Sequence, residues 1–170
     1  MKAKKLILTL MTILAIIFCN LQSFVLADTE INSAHLKVLQ GSERHLQFYN
    51  GSKWITISCL IVGYENEGTI YPAYCLNREL PGAEAYEDGY TVSINETIKD
   101  EVLWRTIISG YPYKTIEELG VETKWDAYTA TKQAIYCILY NRDVKTQYRG
   151  MDERGEKIVN AMDKMVSEGR

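Results

Sequence analysis

The stretch "TKWDAYTATKQAIYCILYN", residues 123–141, decides how the second half of this chain folds. Tyr128, Thr131, Ile135, Ile138 and Leu139 recur at helical spacing and form one apolar stripe. Ala127, Ala130, Ala134 and Cys137 make the opposite side small, which suits close packing against a sheet. Thr123 with Asp126 three residues on is a helix start. A helix apolar on most sides is buried, yet this one carries Lys132 and Gln133 side by side. Long polar side chains in such a setting need partners or a chemical role. The plainer account has Lys132 reaching to water along its stem and Gln133 bonding nearby backbone.

Working outward, the sequence divides into two halves. "HLKVLQ" (35–40) and "HLQFYNGSKWITISCLIVGYE" (45–65) have strand character, with Asn50-Gly51 as a hairpin turn. Ile55, Ile57, Cys59 and Ile61 alternate as one face of a single strand. "TIYPAYCLN" (69–77) reads as a further strand, and Pro72 places it at an edge or a bulge. Residues 78–93 are turn-rich and acidic, an exposed loop. From residue 96 the period changes. "ETIKDEVLWRTIISG" (96–110) spaces Ile98, Val102, Leu103, Ile107 and Ile108 helically and stops at Gly110. "KTIEELG" (114–120) is a short helix capped by Thr115 and ended by Gly120. "DERGEKIVNAMDKMVSEG" (152–169) is amphipathic, with Ile158, Val159, Met162 and Met165 on one stripe. The expected fold class is α+β: an antiparallel sheet or partly open barrel, then a helical subdomain.

The first 27 residues read as a secretory signal peptide. Lys2, Lys4 and Lys5 precede an uncharged apolar run from Leu6 to Cys19, and Val25-Leu26-Ala27 fits a cleavage site. An uncleaved anchor is the rival, and Phe18 is too large for a lipid-attachment motif at Cys19. Residues 28–170 then form a single domain, and 28–33 a short arm. The leader holds three lysines and no acids, so its removal takes the formal net charge from −3 to −6. That balance argues against nucleic acid as a partner. No later stretch approaches the ~20 apolar residues of a membrane span. The expected location is secreted or cell-surface. Outside the cell, the remaining Cys59, Cys75 and Cys137 allow at most one disulfide.

Enzyme constellations are weak. His35 and His45 lie early, and a cysteine–histidine hydrolase built on Cys75 has no local support. No phosphate-binding glycine loop appears, and the cysteines and histidines lack zinc spacing, so no cofactor or metal is expected.

"YPAYCLN" (71–77), "VLWRTIISGYPYKTIEELGV" (102–121) and "WDAYTATKQAIYCIL" (125–139) together resemble the thioester domains, or TQXA domains, of Gram-positive surface adhesins. The similarity covers roughly residues 60–145. The resemblance implies a cysteine in a tyrosine-cysteine motif joined to a glutamine on a downstream helix as an internal thioester. Tyr74-Cys75 matches the first, and Gln133 lies on the matching helix. Such a bond acylates an amine of a host surface or extracellular-matrix protein, so the domain is a single-use covalent binder rather than a turning-over enzyme. Tyr74 and Tyr136 are candidates to shield it from water.

One departure matters. The family motif runs Thr-Gln-x-Ala, whereas this chain reads Thr131-Lys132-Gln133-Ala134. Lys132 thus occupies the usual glutamine register, and one residue is a turn of ~100° around a helix. Either Gln133 still reaches Cys75, or the fold persists as a non-covalent binding module. If the face shared by Gln133 and Cys137 meets Cys75, a Cys75–Cys137 disulfide competes with the thioester; if it does not, Cys59–Cys137 is the expected disulfide. Family members commonly carry an anchor and further repeats. A domain shortened at its C-terminus would leave Ile158 and Met162 imperfectly covered.

Overall fold

The structure is a computed structural model that describes residues 35–41, 43–66, 68–79 and 97–170. The leader at 1–27, the arm at 28–33 and most of the acidic stretch at 78–93 lie outside these residues.

The strands form two three-stranded antiparallel sheets, with no closed barrel among the described residues. In the first, β1 (His35–Gly41) pairs with β4 (Leu60–Asn66), and β4 with β5 (Thr69–Pro72). In the second, β2 (Leu46–Tyr49) lies between β3 (Trp54–Thr56) and β6 (Tyr148–Gly150). The β2–β3 hairpin is where Asn50-Gly51 predicts it. The Asn50 carboxamide oxygen accepts from the Ser52 and Lys53 amides at 3.1 and 2.9 Å, and Gly51 takes φ +96°, a left-handed value that favours glycine. Pro72 closes β5 at the sheet edge, as expected of a residue with no amide to donate.

The single strand expected to hold Ile55, Ile57, Cys59 and Ile61 is not formed. The chain leaves one sheet after Thr56 and enters the other at Leu60, so residues 57–59 belong to neither. Ile55 is exposed, while Cys59 and Ile61 are buried. Alternation reports which face a residue takes, not which sheet holds it.

The helices start where their caps are written. Helix α1 (Glu101–Ile108) is capped by Asp100, whose carboxylate accepts from the Leu103 amide; Ile98 precedes it and is exposed, outside the stripe the spacing gave it. Helix α2 (Ile116–Leu119) has a capping box of Thr115 and Glu118 and ends on left-handed Gly120. Helix α3 (Lys124–Leu139) has the box of Thr123 and Asp126. A short α4 (Val144–Gln147) and strand β6 follow, and α5 (Glu153–Gly169) begins at Asp152.

The small face of α3 meets a helix more than a sheet. Ala127, Ala130, Ala134 and Cys137 share one core with Ile158, Ala161, Met162 and Met165 of α5, closed by Leu46, Phe48 and Tyr148. Ile158 and Met162 are therefore fully covered. Truncating a methionine so placed costs roughly 2–5 kcal/mol. Gly110 permits the close approach of the α1–α2 connection to α3, because a Cβ there would fall 2.6 Å from the Thr131 side chain. The next amide, Tyr111, donates to the Thr131 hydroxyl at 2.9 Å.

The first turn of α3 is tied down by charge. The Arg154 guanidinium donates to both Asp126 carboxylate oxygens (3.0 and 3.1 Å) and to the Thr123 hydroxyl, and also pairs with Glu43. His45 sits between Asp152 (2.7 Å) and Glu43 (2.9 Å).

Candidate functional site

Thr129, Lys132, Gln133 and Tyr136 stand three and four residues apart and so share one face of α3. Lys132, Gln133 and Tyr136 of that face form one wall of an open cleft of about 390 Å³. Residues 55–60, between and including the ends of the two sheets, form a second wall, and Cys75, Asn77 and Arg78 a third. Tyr128 positions that third wall. Its hydroxyl donates to the Ala73 carbonyl (2.7 Å) and accepts from the Val62 amide (3.4 Å), while the Ala73 amide donates to the Val62 carbonyl. The chain just past β5 is thereby pinned to α3, and Cys75 is delivered to the rim.

Of Lys132 and Gln133, the residue in contact with a cysteine sulfur is Gln133, and that sulfur belongs to Cys59 rather than Cys75. Both line the cleft, together with Cys59 and Cys75. They do different things there. Gln133 is buried, and its Nε2 donates to the Cys59 sulfur at 3.4 Å. Its Oε1 accepts from the Tyr148 hydroxyl at 3.3 Å, and that hydroxyl accepts from the Arg142 guanidinium at 3.1 Å. Lys132 is half-buried, with its ammonium 5.9 Å from the centre of the Tyr128 ring. Cys75 is exposed, and its thiol donates to the Asn77 carbonyl at 2.9 Å.

Burial pushes the Cys59 thiol up, while the nearby Lys132 ammonium and hydrogen bonds from Gln133 and Thr129 pull it back. Burial also raises the Tyr136 phenol, with Cys75 adding to it. Cys137 stands one turn beyond Gln133, in the core and off the cleft. Its thiol is pushed up to about 12, by burial first, against the Tyr148 hydroxyl and Arg142.

Tyr136 lines the cleft, but Tyr74 does not. Tyr74 turns inward, stacks on Tyr128 at 4.8 Å and donates to the Tyr111 carbonyl at 2.5 Å, so it anchors the segment carrying Cys75 rather than covering a bond. The Cys59–Cys137 disulfide is not formed in the structure: Cys59 faces Gln133 across the cleft, while Cys137 points into the α3–α5 core. A Cys75–Cys137 disulfide is not formed either. His45 is occupied by Asp152 and Glu43 and lines no part of the cleft, which removes it as a base for Cys75. Among the described residues no cluster of His, Cys, Asp and Glu could hold a metal ion, and no helix is long and apolar enough to cross a membrane.

Tyr148 and Arg142 carry no motif in the sequence. Both follow α3, and strand β6 brings Tyr148 back beside the helix it has just left.

The family model for the thioester domain matches residues 72–170. No curated protein matches the chain. Among solved structures, the Bacillus anthracis TIE protein superposes with a TM-score of 0.58 at 21% identity, over 80% of this chain and 24% of that one. The thioester domain of the Enterococcus faecium TIE86 protein gives 0.51 at 18% identity, over 80% of this chain and 48% of that one. The chain thus spans less than half the length of either, and the likeness is one of fold. The family match covers more than half of the sequence, and it includes Cys75 and all of α3: this chain belongs to the thioester-domain family.

Proposed function

We propose that this chain is a single-use covalent adhesion module, secreted or displayed at a cell surface. Gln133 is its acyl donor and a cleft cysteine its thiol. A thiol attacks the carboxamide, ammonia leaves, and an internal thioester remains. An amine on a host surface or extracellular-matrix protein then opens it, leaving an amide to Gln133 and a restored thiol. The observation that carries this is the Gln133 carboxamide, buried yet bordering an open cleft, held between a phenolic hydroxyl and a cysteine sulfur. Burial protects such a bond from hydrolysis, and the cleft admits an amine. The apolar run at residues 6–19 behind three lysines supports export.

A second reading has one specific observation in its favour. Lys132 holds the family's usual glutamine register and lines the same cleft, so a non-covalent module could present this cation to a ligand instead. Intact mass of the purified chain separates the two. A mass one ammonia below that of the sequence, raised by one methylamine on incubation with that amine, supports covalent capture. A full mass that methylamine leaves unchanged supports the non-covalent module.

A further inference from the structure

We infer that Arg78, Lys132 and Arg142 form a cationic frame around the cleft, and that this frame selects a lysine flanked by carboxylates, in an acidic segment of the partner protein. This rests on the covalent reading above and names the substrate class of the same site.

The charge of the cleft runs against that of the chain. The chain carries a formal net charge of −3. Yet among the described residues every charged side chain lining the cleft is a cation, and Glu79, next to Arg78, does not line it. None of the three cations forms an ion pair among the described residues, whereas Arg154 and His45 at the start of α3 meet three carboxylates. Aromatic faces hold the cleft cations instead. Arg142 and Arg78 lie 4.3 and 4.9 Å from the centre of the Phe48 ring, and Lys132 lies 5.9 Å from that of Tyr128. A ring positions a cation without neutralising it, so all three charges remain for a ligand to meet. Arg142 is 8% exposed and acts through its field; Arg78 is exposed and Lys132 half-buried, so these two can touch the ligand.

The placement of these charges sets what amine can react. Lys132 adjoins Gln133 on α3, and Arg78 follows Cys75 by three residues on the opposite wall, so an amine approaching Gln133 passes between them. A lysine must shed its proton before it can attack, and like charge nearby favours the neutral form. The same charge repels a bare ammonium on approach. Carboxylates beside the lysine resolve the conflict: they bring the segment in against the cations and leave the amine to lose its proton. A guanidinium fork matches a carboxylate, which suits Arg78 at the rim. Lys132, in the usual glutamine register, then serves as a specificity residue for its neighbour.

The step balances without a further reactant. The ammonium gives one proton to water. The neutral amine nitrogen bonds Gln133 Cδ, the bond from Cδ to sulfur breaks, and a second amine proton passes to the thiolate. The amide left behind is uncharged, so capture removes the one positive charge that the frame opposes.

The test uses the full mature chain, weighed intact over time with methylamine and with three peptides, Glu-Lys-Glu, Gln-Lys-Gln and Arg-Lys-Arg. Each peptide is N-acetylated and C-amidated, so that the lysine side chain is its one amine. Wild type should capture the acidic peptide fastest and the basic one slowest, at least about tenfold apart at about 0.01 M salt. The spread should collapse at about 1 M, where the screening length falls from about 30 to about 3 Å. In Arg78→Gln and Lys132→Gln, with folding confirmed by circular dichroism, the acidic-to-basic rate ratio should shrink; a ratio within one variant cancels any general loss of reactivity. Equal rates for the three peptides, or a spread that salt leaves unchanged, overturns the inference, while methylamine capture keeps the covalent reading standing. A wild-type spread retained in full by both variants also overturns it. A wild type of full mass that takes up no methylamine overturns the covalent reading and this inference with it.

Discussion

Helix α3 is gripped by two polar networks of opposite character. At its first turn the grip is ionic: Arg154 spans Asp126, Thr123 and Glu43, and His45 links Glu43 to Asp152. Every charge there meets its opposite, and the cluster ties β2, α3 and α5 together. Two turns on, the grip is mostly neutral and runs in one direction, from Arg142 through Tyr148 and Gln133 to Cys59. The first network ends on itself, as a structural clamp does. The second ends on a cysteine sulfur beside a carboxamide. Polar groups near a packed helix are therefore not one class; what matters is what stands at the end of the chain of donors.

The largest effect should come from breaking the second network at its electrophile. Gln133→Ala removes the acyl carbon, so methylamine incorporation should vanish altogether while the far-ultraviolet circular dichroism stays that of wild type. The first network should give the reverse pattern. Arg154→Ala leaves the Asp126 carboxylate, 4% exposed, without its partner and should cost about 3 kcal/mol in urea denaturation. Below its unfolding midpoint this variant should still capture methylamine as wild type does. Loss of capture in a folded Arg154→Ala would merge the two networks into one.

Between these lies Tyr148→Phe. It keeps the ring against Phe48 but removes the hydroxyl facing Gln133. Loss of one oxyanion donor slows acyl transfer by roughly 10²-fold, so methylamine capture followed by mass over time should slow by that order. An unchanged rate would reduce Tyr148 to a packing residue.

The smallest effect belongs to His45. Hydrogen bonds to Glu43 and then Asp152 raise its pKa above the ordinary value, because both ring nitrogens face carboxylates and so both must carry protons. A pKa raised on folding stabilises below the unfolded value of about 6.5, and that stability is lost as pH rises through the folded value. The unfolding free energy from urea denaturation should therefore fall as pH climbs from about 6 through neutrality, by under about 1 kcal/mol for so exposed a cluster. In His45→Gln this slope should flatten.

The legibility of the sequence follows the same division. The caps at Thr115 and Thr123 and the turn at Asn50-Gly51 are local chemistry, and each forms where its residues stand. The break at residues 57–59 is not local: the alternation of Ile55, Ile57, Cys59 and Ile61 fits one strand as well as two. That break matters to the site, since it turns Cys59 toward α3. Lys132, Gln133, Cys75 and Tyr136 were legible because a helix face and a motif single them out, and all four line the cleft. Cys59 was visible only as a cysteine that pairs or stays buried. Tyr148 and Arg142 could not be seen, for a three-residue strand has too few positions to show a period.

The most direct test is peptide mapping of the purified chain after pepsin digestion at low pH, where a thioester survives. The account predicts one linked species, joining a segment with a cleft cysteine to the segment with Gln133 and lighter by one ammonia than the two together. Recovery of the Gln133 segment unlinked and at full mass would contradict it.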